Sequence, residues 1–419
     1  MQFRSRRPRC APVPVVEHHP ETALTSRRPA SVAEAGQEVR QAIAAGHAIY
    51  PVGGQTQWDL GLPPSKPGIL LDTRRLDGII DYPASDMTIT VRAGMTVAQL
   101  QTTLAREKQR LPIDVPHADR ATVGGIIATN TSGARRHAWG TLRDYVIGIS
   151  VVNDEGHEIK AGGRVVKNVA GYDLCKLFVG SMGTLGIITQ VTFKLRPLPA
   201  EQALFAFPCS PTEIDNALTL LHDSKTRPVM IELLSPSAAQ MLAGKFQDRW
   251  PADWSVVVGF EDNADALRWQ VRTLIQELGG RFSVSGVLGS CADPVWQALA
   301  EFPANCDSPL SFKAGVPASA VTMFCPEVAE ILHPVQLQVH ARNGIVVGHC
   351  QSEDSADRLR KVRELAMSLG GHVVVTRCPL QWKTTEFIWG PPSGDAWLMR
   401  AIKDKLDPRG LFNPGRHFV

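Results

Sequence analysis

Three glycine-bearing segments in the first half of the chain constrain its fold more than any other feature. They are PVGGQT at 51–56, TVGGIIATNTSG at 122–133 and GSMGTLGII at 180–188. A glycine has no Cβ, so its peptide can approach another group closely and take φ values closed to other residues. The first segment ends an apolar run (HAIYPV, 47–52) and the third begins one (187–195), so glycine turns sit at the tips of predicted strands.

Element signals surround these turns. Ser31 with Glu34, and Thr96 with Gln99, form capping boxes; the first predicts a helix ending at Gly46, the second a helix reaching Gln109. Strands are predicted at 47–52, 69–72, 77–82, 87–92, 145–152, 157–160 and 187–195, before Arg196-Pro197-Leu198-Pro199 breaks the pattern. Beyond this boundary, strands at ALFAF (203–207), 229–234 and 255–260 alternate with helices at 211–223 and 263–278. Asn343-Gly344 signals a hairpin, and a helix at 355–369 and strand at 372–376 complete an antiparallel sheet expected to carry helices on one side. The expected class is α+β in two domains: residues 29–198, a second unit at 199–395, and a terminal segment at 396–419, behind a mobile tail at 1–28.

Composition excludes several functions. The 419 residues hold 44 Lys+Arg against 41 Asp+Glu, and six of the arginines lie in the first 28 residues, which leaves no basic face and no expectation of nucleic acid as a partner. No apolar run is long enough to span a bilayer, and the Arg/Pro-rich N-terminus lacks the apolar core of a secretory signal. The eight cysteines contain no C-x-x-C pair, so neither a zinc ribbon nor an iron–sulphur cluster is expected. Reduced thiols and a cytoplasmic location are the expectation, with any membrane contact made through partners.

The same glycine turns suggest a ligand. Bare amides from three turns, flanked by Thr56, Thr122, Thr129, Asn130 and Ser132, can form a concave nest for a pyrophosphate. No G-x-G-x-x-G and no G-x-x-x-x-G-K-[ST] occurs, which disfavours a Rossmann NAD site and a P-loop. No G-x-S-x-G elbow and no H-E-x-x-H helix is present either.

The order of PVGGQT, VRAGMTVAQL (91–100), TVGGIIATNTSG, GTLRDYV (140–146), GRVVKNVAGYDLCKLFVGSMGTLGIITQV (163–191) and DPRGLFNPGR (407–416) resembles the FAD-binding domain of the vanillyl-alcohol-oxidase superfamily. Within it, KNVAGYDLCKLFVGS and the modest length resemble the FAD-binding subunits of bacterial glycolate oxidase complexes. The resemblance implies that Gly53, Gly54, Gln55 and Thr56 wrap the FAD pyrophosphate. Thr122, Gly124, Gly125, Ala128, Thr129, Asn130 and Gly133 would line the diphosphate and the dimethylbenzene edge. Ile187 or Ile188 would meet the adenine end, with Gly183, Thr184 and Gly186 shaping that strand, and Asn413 would reach the flavin from the tail. It further implies an α+β cap domain, a small 2-hydroxy-acid substrate, a second FAD-containing subunit and an iron–sulphur subunit.

Two departures stand out. The metal-holding H-x-G-D-G-N-x-H segment of catalytic 2-hydroxy-acid dehydrogenases is missing, so no metal and no catalytic residue is assigned. His340, His349, Lys313, Arg135, Arg136 and His137 remain candidates for contact with substrate or flavin. A self-sufficient dehydrogenase for another alcohol, or a structural subunit with a vestigial site, stays open. Gln55 stands where flavin-tethering relatives often carry His, which implies dissociable FAD. Acid precipitation of the holoprotein is expected to leave the flavin in the supernatant; a yellow pellet overturns this.

Overall fold

The computed structural model describes residues 24–163, 172–242, 253–304, 308–352 and 354–417. Residues 1–23 of the expected tail, the KNVAG part of the run at 167–181, and Cys10 and Cys306 lie outside the described residues.

The first lobe opens with β1 (Leu24–Arg27), α1 (Val32–Ala45), β2 (Ala48–Val52) and β3 (Gly68–Asp72), its strands forming a parallel sheet in the order β1-β3-β2. Structure therefore begins inside the tail expected to reach residue 28. Thr25, Ser26 and Arg27 are exposed, so no apolar alternation announces β1, which pairs through its backbone with β3. Ser31 Oγ accepts the Glu34 amide at 3.1 Å, and Gly46 closes α1 in the left-handed region at φ 66°. The Glu34 carboxylate accepts from Ala30 N (2.8 Å), so the reciprocal bond forms one residue earlier than the motif predicts.

β4 (Ile79–Asp81), β5 (Thr88–Arg92), α2 (Val97–Arg106), β6 (Gln109–Arg110), α3 (Val123–Thr129), α4 (Arg136–Trp139), β7 (Val146–Val152), β8 (Glu158–Gly162), β9 (Ile187–Lys194) and β10 (Arg196–Pro197) follow. Five of these strands make an antiparallel sheet ordered β4-β5-β9-β7-β8. The Thr96–Gln99 capping box is complete. α2 stops at Arg106 rather than at the predicted Gln109, because Gln109 pairs with Pro197 in the β6–β10 ladder and its side chain bonds Ala84 O (2.6 Å) and the Tyr82 hydroxyl (3.1 Å).

The second lobe is one antiparallel sheet of β11 (Glu201–Cys209), β12 (Met230–Leu234), β13 (Trp254–Asp262), β14 (Ser285–Leu288), β15 (Leu310–Gly315), β16 (Val335–His340), β17 (Ile345–Cys350) and β18 (His372–Arg377). Its order is β14-β11-β13-β12-β16-β17-β15-β18. The helices Ile214–Asp223, Ala264–Leu278, Val321–Ile331 and Ser355–Ser368 cover one face, around a core including Phe207, Phe260, Phe312 and Phe324. The sequence reading expected helices on one side only; the opposite face carries them too. Leu204, Met230, Leu234 and Val257 pack under the helices Pro236–Ala239 and Asp293–Glu301, together with Ala134 and Trp139 of the first lobe. A sheet whose alternate residues are apolar on both faces requires cover on both.

Glu261 joins the lobes. Its buried carboxylate accepts from both terminal guanidinium nitrogens of Arg110 (2.8 and 2.5 Å), from Arg135 Nε (2.7 Å) and from Trp139 Nε1 (3.3 Å). Arg135 also pairs with Asp114 and stacks 3.7 Å above the Trp296 ring. Arg135 was a candidate for the ligand side; the structure commits it to this joint. The last segment returns to the first lobe: Ile49 N donates to Leu411 O and Asn413 N to Ile49 O, each at 2.8 Å. Buried Lys403 donates to Thr184 O (2.6 Å), Phe412 O (3.0 Å) and the Asp407 carboxylate (2.5 Å), which pins the helix Ala396–Leu406 to that return.

Burial alone raises the pKa of Glu261. The Arg110 hydrogen bonds, with the charges of Arg135 and Arg110 and the Arg135 bond, outweigh it and bring the carboxyl from the usual 4.5 to about 2. A depressed carboxylate adds stability above its unfolded value and loses it as pH falls through the folded one. The joint is therefore expected to weaken between pH 4.5 and 2, and Glu261→Gln to lose roughly 3 kcal/mol at neutral pH together with this acid dependence. Denaturant melts at stepped pH measure both; parallel acid profiles for parent and variant contradict the account.

Candidate functional site

β2, α3, the start of β9 and the returning tail line one cleft. Gly53, Gly54, Gln55, Thr56, Thr122, Gly124, Gly125, Ala128, Thr129, Gly183, Gly186, Ile187, Ile188 and Asn413 all line it. Asn130, Gly133 and Thr184 do not. Asn130 ends α3 at φ 49° with its Oδ1 buried and unpartnered. Gly133 leaves room for Asp114, whose side chain a Cβ there would meet at 2.3 Å. Thr184 bonds Ser181 O through its hydroxyl (2.7 Å).

The paired glycines work by close approach. A Cβ on Gly54 would stand 1.8 Å from Arg120 O, and one on Gly53 2.1 Å from Thr122 Oγ1. Neither has positive φ; in that turn Gln55 does, at 55°. Among the described residues, the amides of Gly54, Gln55 and Thr56 donate to no protein acceptor. α3 differs: Val123 N donates to Met95 O (2.8 Å), Gly124 N to Ala93 O (2.7 Å) and Gly125 N to Thr122 Oγ1 (3.3 Å). The expectation that three turns offer free amides is thus corrected. The first turn carries donors, while α3 forms a wall whose early amides are already satisfied. In the third segment, Met182 (φ 52°) and Gly183 (φ 67°) fold under Asn413, whose Nδ2 donates to Met182 O at 2.7 Å.

Sequence reasoning passed over Trp58 and Arg416. Arg416 donates to Leu62 O (2.7 Å), Trp58 O (2.8 Å) and Leu60 O (3.0 Å) and lies 4.6 Å from the Trp58 ring. Burial lowers its pKa to about 10, so it remains a cation at neutral pH. Its only signal was its place in DPRGLFNPGR; 354 residues separate it from Leu62. Free amides at one turn, a buried cation, and Val52, Val115, Ile126 and Ile188 along the walls suit an elongated group with an anionic bridge and flat apolar rings.

The remaining candidates divide. His349 is fully buried, with Nδ1 against Ser311 Oγ and Nε2 against Phe302 O, each at 2.8 Å; burial takes its pKa to about 4. Both ring nitrogens are engaged, which makes it structural. His137 is likewise held neutral, at about 4, by burial and Arg342. His340 pairs with Glu232 at 2.7 Å. Burial depresses the pKa of Arg136, and burial with the Arg136 charge depresses that of Lys313. The described cysteines are free, and all but Cys291 are buried. No helix of the described residues is long and apolar enough to cross a membrane, and none of their His, Cys, Asp and Glu side chains group as a metal site.

Residues 25–162 match the model of an FAD binding domain, and residues 393–417 that of the C-terminal domain of FAD linked oxidases. The chain is an FAD-dependent oxidoreductase. Its cleft lies between the two matched segments, and the amides and walls described above fit the cofactor. This oxidoreductase is 28% identical over 386 residues to the glycolate oxidase subunit GlcE of Escherichia coli (strain K12), covering 91% of this chain and 96% of that one. It is also 28% identical to a D-lactate dehydrogenase of Archaeoglobus fulgidus, covering 88% and 85%. The solved alkyldihydroxyacetonephosphate synthase superimposes with a TM-score of 0.69 at 18% identity, over 93% of this chain and 76% of that one, which shows a shared fold.

Gly125 separates fold from binding. A Cβ there meets only Thr122 Oγ1, at 3.2 Å, and alanine favours a helix by roughly 0.5–1 kcal/mol. Gly125→Ala is expected to melt at or above the parent temperature yet bind FAD more weakly, whereas Gly54→Ala loses roughly 2 kcal/mol or more of stability. Thermal melts and flavin-fluorescence titration give the two readouts; unchanged FAD affinity in Gly125→Ala removes that glycine from the site.

Proposed function

We propose that this chain is the FAD-binding subunit of a glycolate oxidase-type complex, supporting oxidation of glycolate to glyoxylate and passing electrons to an iron–sulphur subunit beside a second flavoprotein subunit. The observation that carries it is the near full-length likeness to a glycolate oxidase subunit, combined with the cleft built from both FAD-linked segments. Glycolate and D-lactate, named for the two relatives, share the 2-hydroxy-acid group, and that class is the broader form of the reading.

FAD, when bound, supplies a two-electron acceptor. The protein supplies position. The Gly54, Gln55 and Thr56 amides would hold the diphosphate, and Thr122, Ala128 and Thr129 would line the flavin along α3. Ile187 and Ile188 would border the adenine end, while Asn413 fixes the Met182–Gly183 turn from the tail. The sheet of the second lobe would act as the cap over the flavin. The missing H-x-G-D-G-N-x-H segment and the absence of C-x-x-C spacing in the sequence favour work within an assembly over a self-sufficient enzyme.

Anaerobic mixing with glycolate and D-lactate tests this, with the absorbance of the flavin as readout. Bleaching by glycolate that becomes fast only with the partner subunits supports the subunit reading. Equally fast bleaching by the isolated chain supports the self-sufficient dehydrogenase, and a purified chain that is colourless and takes up no FAD overturns both.

A further inference from the structure

Residues 57–62 run on from the turn of Gly54, Gln55 and Thr56, and Gln57, Trp58 and Leu60 line the cleft. This strap belongs to no helix or strand. Its carbonyls therefore have no ladder to satisfy them, and two cations from distant parts of the chain take that place. Arg416 of the tail donates to Trp58 O, Leu60 O and Leu62 O. Lys383 Nζ of the second lobe donates to the two carbonyls between them, Asp59 O (2.5 Å) and Gly61 O (3.1 Å). Five consecutive carbonyls are thus held by two side chains that lie 322 to 358 residues further along the chain.

The strap is clasped from the tail and the second lobe at once. The Asp59 carboxylate lies 3.4 Å from Arg377 Nε at the end of β18, and its charge favours the cationic form of both Lys383 and Arg416. Leu62 N donates to Arg416 O (3.2 Å), and Leu62 packs against the core of the second lobe. Gly61, at φ 83°, admits the Arg416 carbonyl, which a Cβ there would meet at 2.4 Å. The other walls are fixed by their own elements: β2 pairs with β3, α3 is a capped helix, and β9 lies between β5 and β7. Local opening starts where regular structure is least, and in this cleft that is the strap.

We propose that Lys383 and Arg416 are positioning residues for the flavin nucleotide: by gripping the strap from the second lobe and from the tail, they keep the wall around Trp58 closed on the bound cofactor and set how fast it leaves. The inference requires FAD in the cleft and is independent of which substrate is oxidised. Arg416 lines the cleft itself, whereas Lys383 does not. Lys383 therefore separates the grip on the strap from direct contact with the cofactor.

The test is the rate of FAD release from the holoprotein after large dilution, read as flavin in the filtrate at timed ultrafiltration, well below the melting temperature. Lys383→Met is expected to release FAD at least ~10-fold faster than the parent, the scale of one lost charge-assisted bond, and Lys383→Arg to keep most of the retention. Arg363→Met is the control. Arg363 donates to Glu386 O, Phe387 O and Ile388 O within the second lobe and does not line the cleft, so its loss is expected to lower the melting temperature and leave release at the parent rate. Melting temperatures and flavin absorbance check that each variant is folded and loaded. Release from Lys383→Met at the parent rate overturns the proposal. Equal acceleration in Arg363→Met overturns it as well, because release then follows the stability of the lobe and not the grip on the strap.

Discussion

A single carboxylate organises the molecule. Glu261, at the end of a cap strand, is almost wholly removed from water and charged, and it is tolerable there only because Arg110 and Arg135 of the first lobe meet both of its oxygens. A buried ion costs several kcal/mol unless its partners are complete, so the two lobes have one low-energy way to sit together. Asp114 completes the charge of Arg135, and the face of Trp296 covers its guanidinium. The position of the cap over the cleft follows from that joint at one end and from Asp59 with Arg377 and Lys383 at the other.

The glycines act on the same geometry at shorter range. Gly53 and Gly54 allow the end of β2 to lie against the backbone and side chain of residues 120–122, a separation that no Cβ permits. Gly133 performs the same service for Asp114, and so for the lobe joint rather than the cleft. One physical property, the missing side chain, thus serves two sites. Which site a given glycine serves depends on what lies opposite, and that is tertiary information.

Much of the local structure was legible because it is decided locally. Ser31, Gly46, Thr96 with Gln99, and the apolar strands declare themselves through caps and periodicity, and the cleft-lining glycines through their clustering. What the sequence hid was decided at long range. Leu24–Arg27 becomes a strand by pairing its backbone with β3; Gln109 leaves its helix for a ladder with Pro197; Arg135 faces a carboxylate 126 residues away. Arg416 joins the cleft only because the tail returns beside β2. Neither composition nor spacing encodes these meetings.

The two histidines of one hairpin show how position converts the same side chain to different ends. His340 and His349 lie on paired strands and turn toward the same face of the sheet. At the His349 end, Phe302 descends from the helix Asp293–Glu301, its ring 4.7 Å from the imidazole and its carbonyl on Nε2. With Ser311 on the other nitrogen, that ring has no site left for a ligand and is held neutral by burial. His340 is buried as well, but there Glu232 holds Nδ1 at 2.7 Å, and among the described residues nothing bonds Nε2. The same side chain thus meets a hydroxyl and a backbone carbonyl at one end of the hairpin and a carboxylate at the other, and what lies opposite decides which.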